Sequence, residues 1–178
     1  MELNGFSIYE QLEPVNHDIT ISFNPDQTYS SYKLIIKKEN EIYKEIRKIN
    51  TVSTEFTLSE SGTYEIEVRY YDENQNEYET KSGTYVIDKE APILKIGKKS
   101  QDVFLGKKVD VMDGVSATDE YDGNITNKIT TNKQELNFNT KGTKKLIYTV
   151  SDKAGNTTAA EKIINITNSS TSIMIFQM

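Results

Sequence analysis

The sequence predicts an all-β protein built as two tandem β-sandwiches. Short segments with alternating apolar residues follow one another along the chain, separated by turn residues. One strand-and-turn unit also occurs twice, which indicates two domains of the same class. At about 90 residues per copy, a sandwich matches the size better than a barrel.

The internal repeat has an offset of 80 residues. Residues 62–76 align without gaps with residues 142–156. Apolar residues alternate in both copies, as expected for a half-buried strand: Ile66, Val68 and Tyr70 in the first, Leu146, Tyr148 and Val150 in the second. An Asp-x-x-x-Asn segment follows and predicts a hairpin turn. We expect its left-handed residue to be Asn74 in the first copy and Gly155 in the second.

The remaining strands of the first half are predicted from the same alternation. We expect strands over residues 17–23, 32–36 and 52–58, with turns around Pro25 and Asn40. Residues 41–49 fit both a helical spacing and a strand alternation. We predict a strand there, because a sandwich has no need for a helix at that point.

The second half contains more loop. Its predicted strands are residues 93–96, 115–118, 128–131, 135–139, 143–151 and 159–167, and residues 119–127 are predicted as a polar turn.

A short polar run marks the domain boundary. It covers residues 88–92 and ends in Pro92, which cannot donate to a sheet ladder. We therefore predict one sandwich over residues 1–90, a second over residues 91–168, and a tail or linker over residues 169–178.

Composition excludes several classes of function. The chain has 178 residues and a net charge of −6, which argues against a nucleic-acid binder. No apolar stretch is long enough to span a bilayer. The chain has no Cys, which argues against a thiolate enzyme. His17 is the single His, which argues against a multi-His zinc site and a Ser-His-Asp triad. We predict that the chain is not an enzyme.

Leu58 and Tyr64 lie six residues apart, just ahead of an alternating strand. This spacing resembles the tyrosine corner of fibronectin type III and related immunoglobulin-like domains. The resemblance implies that the Tyr64 hydroxyl bonds back to the backbone. Lys144 stands at the matching position of the second copy, so the corner is absent or altered there.

Three segments of the second half occur in an order that resembles the immunoglobulin-like repeat of bacterial surface proteins. They are residues 113–126 (DGVSATDEYDGNIT), residues 139–143 (NTKGT) and residues 147–156 (IYTVSDKAGN). The resemblance covers residues 91–167.

This resemblance implies an exported protein, extracellular or attached to the cell wall, in which such domains act as spacers or adhesive modules. The first ten residues lack a signal peptide, which leaves a fragment of a longer protein or a cytoplasmic chain. The resemblance favours the fragment. Its partners would be neighbouring domains of that protein and a host protein or a glycan. The alternative is an accessory carbohydrate-binding or spacer module of a secreted hydrolase.

An oxygen-rich segment, residues 119–124 (DEYDGN), is a candidate Ca²⁺ site. Asp119, Asp122 and Asn124 are the expected ligands, because Ca²⁺ prefers carboxylate and amide oxygens. The segment departs from an EF-hand loop at Tyr121. A turn rich in Asp, Gly and Asn for backbone reasons explains the same residues and is the favoured interpretation, with the Ca²⁺ site as the alternative.

Two other kinds of site are conceivable. Nine of the eleven Tyr lie in residues 1–90, including Tyr70, Tyr71, Tyr78 and Tyr85, and a row of exposed rings would stack on sugars. Strand propensity explains these Tyr equally well. Lys95 and Asn165, on the first and last strands of the second domain, have the residue types of an intramolecular Lys–Asn amide bond.

Overall fold

The computed structural model describes residues 2–4, 13–25, 28–49, 52–107 and 109–168. The predicted tail, residues 169–178, lies outside these ranges. The fold is all-β, and none of the described residues forms an α-helix. The chain divides into two compact units, one within Met1–Glu90 plus Lys153–Asn156 and the other within Ala91–Asp152 plus Thr157–Met178.

The first unit contains two sheets. Its strands are β1 (Glu2–Asn4), β2 (Ile19–Asn24), β3 (Ser31–Lys38), β4 (Glu41–Ile49), β5 (Thr54–Leu58), β6 (Gly62–Tyr71) and β7 (Glu77–Ile87). One sheet has the order β1-β2-β5 and the other β4-β3-β6-β7. The strands predicted in this half are all present, and residues 41–49 form β4 with the predicted bounds.

Alternation decides which side chains of this unit are buried. Ile19, Ile21 and Phe23 project from β2 into a single apolar core. Tyr32, Leu34 and Ile36 do the same from β3, and Tyr64, Ile66, Val68 and Tyr70 from β6. Because side chains in a strand point alternately to its two faces, every second residue of these strands is buried between the sheets.

The predicted tyrosine corner is confirmed. The Tyr64 hydroxyl donates a hydrogen bond to the carbonyl oxygen of Glu60 at 2.9 Å, across the turn that leads from β5 into β6. This bond satisfies a buried phenol at the point where the chain crosses from one sheet to the other.

The hairpin after β6 differs from the prediction in its left-handed residue. Asp72 holds the turn, because its carboxylate accepts hydrogen bonds from the backbone amide of Asn76 at 2.8 Å and from the Asn76 side chain at 3.0 Å. The positive φ of 65° falls on Gln75, not on Asn74. Gln75 aligns with Gly155, whose φ of 96° follows the prediction. The alignment of the two copies therefore indicates residue 75 as the left-handed position of the first turn.

An ionic network covers the outer face of the four-stranded sheet. Glu67 is nearly buried there, and its carboxylate accepts a hydrogen bond from Arg69 at 2.5 Å and lies 3.6 Å from the Lys37 ammonium. Lys33 pairs with Glu45 of β4 at 3.0 Å. Opposite charges on neighbouring strands contribute to the stability of a sheet face.

The second unit also contains two sheets. Its strands are β8 (Ile93–Ile96), β9 (Ser100–Phe104), β10 (Val115–Asp119), β11 (Gly123–Asn124), β12 (Thr130–Thr131), β13 (Gly142–Ser151) and β14 (Thr157–Thr167). The sheet orders are β11-β10-β8 and β12-β13-β14-β9. The pairing of β14 with β9 is parallel, whereas β13 and β14 form a long antiparallel hairpin.

The core of this unit is smaller and includes loop residues. Leu146, Tyr148 and Ile164 are fully buried, and Val111 and Val115 pack against them. The Tyr148 hydroxyl donates a hydrogen bond to the carbonyl oxygen of Val111, which fixes the loop before β10. A second cluster consists of Ala117, Ile125 and Val150.

Two predictions for the second unit are wrong in part. Residues 135–139 do not form a strand, because Asn137 accepts a hydrogen bond from the backbone amide of Asn139 at 2.8 Å and stabilises a turn. Residues 128–131 form only the short β12, after a 3₁₀ turn over Thr126–Lys128. Strand β9 was not among the predicted strands.

Candidate functional site

The predicted calcium ligands lie in the turn between β10 and β11. One Asp119 oxygen accepts hydrogen bonds from the backbone amides of Tyr121 and Asp122, both at 2.9 Å. The Asn124 side-chain oxygen accepts one from the amide of Thr126 at 3.0 Å. These two residues therefore stabilise the turn, as expected from its composition.

Asp122 has a different partner. Its carboxylate is almost fully buried and lies 3.0 Å from the ammonium of Lys128. A cation bound by Asp122 would have to compete with this ion pair. Calcium binding by Asp119, Asp122 and Asn124 stays a prediction.

Asp152 lies close to Asp119, a neighbour that the sequence did not indicate. It follows β13 directly and is buried, and the carboxylate oxygens of the two residues lie within 4.8 Å of each other. The sequence signal was the Asp of the second Asp-x-x-x-Asn segment, which we interpreted only as a turn residue.

The residues of the proposed Lys–Asn amide lie in different sheets. Lys95 of β8 is exposed and faces Ser116 of β10 in the strand register. The Asn165 amide donates to a carboxylate oxygen of Asp102 at 3.0 Å, and its oxygen lies 3.2 Å from the Thr143 hydroxyl. The structure does not bring Lys95 and Asn165 together on paired strands.

The four Tyr do not form an exposed row, and their burial agrees with the alternative explanation by strand propensity. Tyr70, Tyr71 and Tyr85 are buried, Tyr70 and Tyr85 in the core between the sheets and Tyr71 on the outer face of β6. Of the four predicted rings, Tyr78 alone is exposed, at 72%. The Tyr85 hydroxyl has no hydrogen-bond partner among the described residues, and burial raises the pKa of Tyr85 to about 12.

Tyr78 instead forms an aromatic cluster with Tyr29, a residue that was not among the sequence-based candidates. The two ring centroids are 5.2 Å apart, and Tyr29 packs against Tyr70 of the core at 4.7 Å. Tyr29 lies in the loop between β2 and β3, where no alternation pattern marked it.

A cleft of about 520 Å³ opens beside these rings at one end of the first unit. It is lined by Thr28, Tyr29, Ser30, Asp72, Glu73 and Tyr78, from the β2–β3 loop, the β6–β7 turn and the start of β7. Asp72 is held by Asn76, whose hydrogen bonds lower the pKa of the Asp72 carboxyl, so that it is charged at neutral pH. The site therefore combines aromatic rings, hydroxyls and carboxylates.

Residues 95–166 match the family model for the immunoglobulin-like domain of bacterial surface proteins. The resemblance predicted for residues 91–167 is confirmed. The match covers most of the strands of the second unit, including the parallel β9–β14 pair. No curated protein matches the chain significantly.

Two similar solved structures come from ZmpB of Clostridium perfringens. One contains CBM51-2 in complex with GlcNAc and INT domains, with 32% identity over 43% of this chain and 16% of that one and a TM-score of 0.38. The other contains the M60 catalytic domain with CBM51-1 and CBM51-2, with 19% identity over 90% of this chain and 18% of that one and a TM-score of 0.40. The chain spans less than a fifth of the length of either structure.

The fibronectin(III)-like modules of Clostridium thermocellum CbhA are similar at 10% identity, over 94% of this chain and 89% of that one, with a TM-score of 0.33. At TM-scores below 0.5 these likenesses are too weak to carry a conclusion. The all-β fold rests on the sheets of the chain itself, and the link to bacterial surface proteins rests on the surface immunoglobulin-like domain. The described part of the chain contains no helix with the length and apolar composition needed to cross a membrane.

Proposed function

We propose that the chain is a non-catalytic, tension-bearing spacer and adhesion module of an extracellular or wall-attached bacterial protein. Its division into domains over residues 1–90 and 91–168 is part of this proposal. The family match at residues 95–166 supports the location, and the strand order of the second unit supports the mechanical role.

The observation that carries the mechanical role is the parallel pairing of β9 with β14. Five residue pairs connect them, from Ile163 with Ser100 to Thr167 with Phe104. β8 precedes β9 but belongs to the other sheet, and β14 is the last described strand of the unit. Tension that reaches β9 from the preceding chain therefore pulls β9 and β14 in opposite directions. Their backbone hydrogen bonds are then sheared together instead of being opened one after another.

The first unit has a related arrangement. Val15 forms a parallel bridge with Ile87 of the last strand, β7. Its amide donates to the carbonyl oxygen of Val86 at 3.2 Å, and its carbonyl accepts from the amide of Asp88 at 2.9 Å. Here too a segment ahead of β2 runs parallel to the last strand of the unit, although it makes only a single bridge.

The chemistry of the side chains supports a non-catalytic role. The chain has no Cys, and its one His, His17, is exposed and bonds to the neighbouring backbone carbonyl of Asp18. The sequence shows no nucleophile and base at a spacing that suggests a catalytic pair.

A second candidate role is that of an accessory carbohydrate-binding module of a secreted hydrolase. The observation that favours it is the cleft beside Tyr29 and Tyr78. A catalytic domain in the same polypeptide would support this role, whereas an anchor motif with many further repeats would support the spacer.

Labelling of intact cells tests the proposed location. An antibody raised against residues 91–168 should label unpermeabilised cells of the organism that encodes the chain, or detect the protein in its culture medium. Labelling should disappear after brief protease treatment of whole cells. Detection only after permeabilisation would overturn the proposal.

A further inference from the structure

We infer that the cleft between Tyr29 and Tyr78 in the first unit binds a neutral saccharide of about two sugar rings. This inference rests on the second candidate role above and not on the spacer role. Of the four Tyr considered for a sugar platform, Tyr78 alone belongs to the site, together with Tyr29 and two carboxylates.

The walls of the cleft are held by the sheet beneath them. The backbone amide and the hydroxyl of Ser30 both donate to the carbonyl oxygen of Tyr71, at 3.1 and 3.0 Å, and so fix the β2–β3 loop to the end of β6. Asp72 and Asn76 close the opposite wall by the hydrogen bonds described above. Little ordering is therefore required when a ligand binds, which favours weak polar ligands such as sugars.

Stacking surface comes from the two rings. Tyr29 is fixed by its contact with Tyr70, and Tyr78 packs against Tyr29 while 72% of its surface remains exposed. Such a ring is an apolar surface at low conformational cost and can take the C–H face of a pyranose. The exposed Tyr78 ring is thus the expected platform.

Polar groups line the cleft around this platform. The carboxylates of Asp72 and Glu73 accept hydrogen bonds from sugar hydroxyls, and the hydroxyls of Thr28 and Ser30 lie on the other wall. The volume of about 520 Å³ falls within the range of about 300–1,000 Å³ that is usual for small-molecule sites. The cleft accommodates more than one ring.

The same groups could attract an organic cation, since carboxylates and aromatic faces both favour positive charge. An open cleft favours the saccharide, because a cation beside exposed carboxylates remains hydrated and its attraction is screened by salt. Aromatic cation sites enclose their ligand, whereas Tyr78 is largely exposed.

Binding can be measured on the full chain by amide chemical shifts during titration with cellobiose, lactose, maltose and di-N-acetylchitobiose. We expect at least one of these disaccharides to shift the amides of residues 28–30 and 72–78, with a Kd on the order of 1 mM. Tyr78→Ala should weaken binding by about tenfold or more. Tyr43→Ala is the matched control, because Tyr43 is also partly exposed but lies at the other end of the sheet, beside residues 36 and 37 of β3.

Glu73→Gln separates the two ligand classes. It keeps a hydrogen-bond acceptor and removes a charge, so saccharide binding should change by no more than about threefold, whereas binding of choline would fall further. Shifts with choline alone, or no shift with any of the four disaccharides, would overturn the inference. Such a failure leaves the location test by cell labelling unaffected.

Discussion

The Tyr64 hydroxyl donates a hydrogen bond to the carbonyl oxygen of Glu60 at 2.9 Å. Tyr85 is equally buried in the same core, but its hydroxyl has no partner among the described residues. The two phenols therefore form a natural pair for measuring what a buried hydroxyl contributes to the free energy of unfolding.

Tyr64→Phe should lower the free energy of unfolding by about 1 kcal/mol, because it leaves the Glu60 carbonyl without its donor. Tyr85→Phe should leave it unchanged or raise it by up to about 1 kcal/mol, because a buried hydroxyl without a partner is removed. Urea unfolding of both variants measures the difference. A larger loss in Tyr85→Phe than in Tyr64→Phe would contradict the assigned hydrogen bonds.

Acid should destabilise the first unit partly through Glu67. The hydrogen bond from Arg69 lowers the pKa of the Glu67 carboxyl below its usual 4.5. A group whose pKa is lower in the folded state contributes stability above its unfolded pKa and loses it as pH falls through the folded value. Glu67→Gln should therefore cost about 1 kcal/mol at neutral pH and progressively less below about pH 4.5.

Urea midpoints across this pH range give the comparison. Glu65→Gln is the matched control, since Glu65 pairs with Lys37 at 3.3 Å but is much more exposed. A constant difference between wild type and Glu67→Gln at all pH values would show that the carboxylate charge has no role.

The two repeated turns should respond oppositely to substitution. Gln75 has a φ of 65°, which a side chain adopts at a cost, so Gln75→Gly should stabilise the protein by roughly 0.5–1 kcal/mol. Gly155 has a φ of 96°, so Gly155→Ala should destabilise it by about 1 kcal/mol or more. Thermal unfolding of each variant measures these changes in stability. Equal shifts of the melting temperature in the same direction would disprove the turn assignment.

Calcium binding at the β10–β11 turn can be tested by the melting temperature in millimolar Ca²⁺ and in EDTA. A ligand that binds only the folded chain must raise its stability. We expect the increase to be lost in the Asp119→Ala/Asp122→Ala double variant and retained in Asp113→Ala. Lys128→Ala should strengthen it, because Lys128 now occupies the Asp122 carboxylate. No increase in either wild type or Lys128→Ala would end the calcium hypothesis for this turn.

The fold was predictable where alternation and burial coincide. In β13, Leu146, Tyr148 and Val150 alternate with exposed or half-buried residues, and the strand was found with nearly correct bounds. In β9, Val103 is the single buried residue of five, so its sequence carries no strand signal. Its place is decided by pairing with β14, a contact between distant parts of the chain.

The candidate site was less predictable for the same reason. Tyr78 was singled out from composition, but its partner Tyr29 lies in a loop almost 50 residues earlier, and only the packing of β3 against β6 brings the two rings together. Tyr70 and Tyr85 have the same residue type as Tyr78 but belong to the core. Residue type alone cannot separate a stacking platform from a buried ring.

The parallel pairing of β9 with β14 should make the second unit resist tension, and force spectroscopy measures this resistance. Because the chain has no Cys, pairs of introduced Cys define where force is applied. Pulling at Lys99→Cys and Asn168→Cys, just outside the paired segments, loads β9 against β14 in shear. Pulling at Lys141→Cys and Thr167→Cys opens the β13–β14 hairpin from its end. We predict a clearly higher unfolding force for the first pair than for the second. Equal forces, or a lower force for the first pair, would contradict the account.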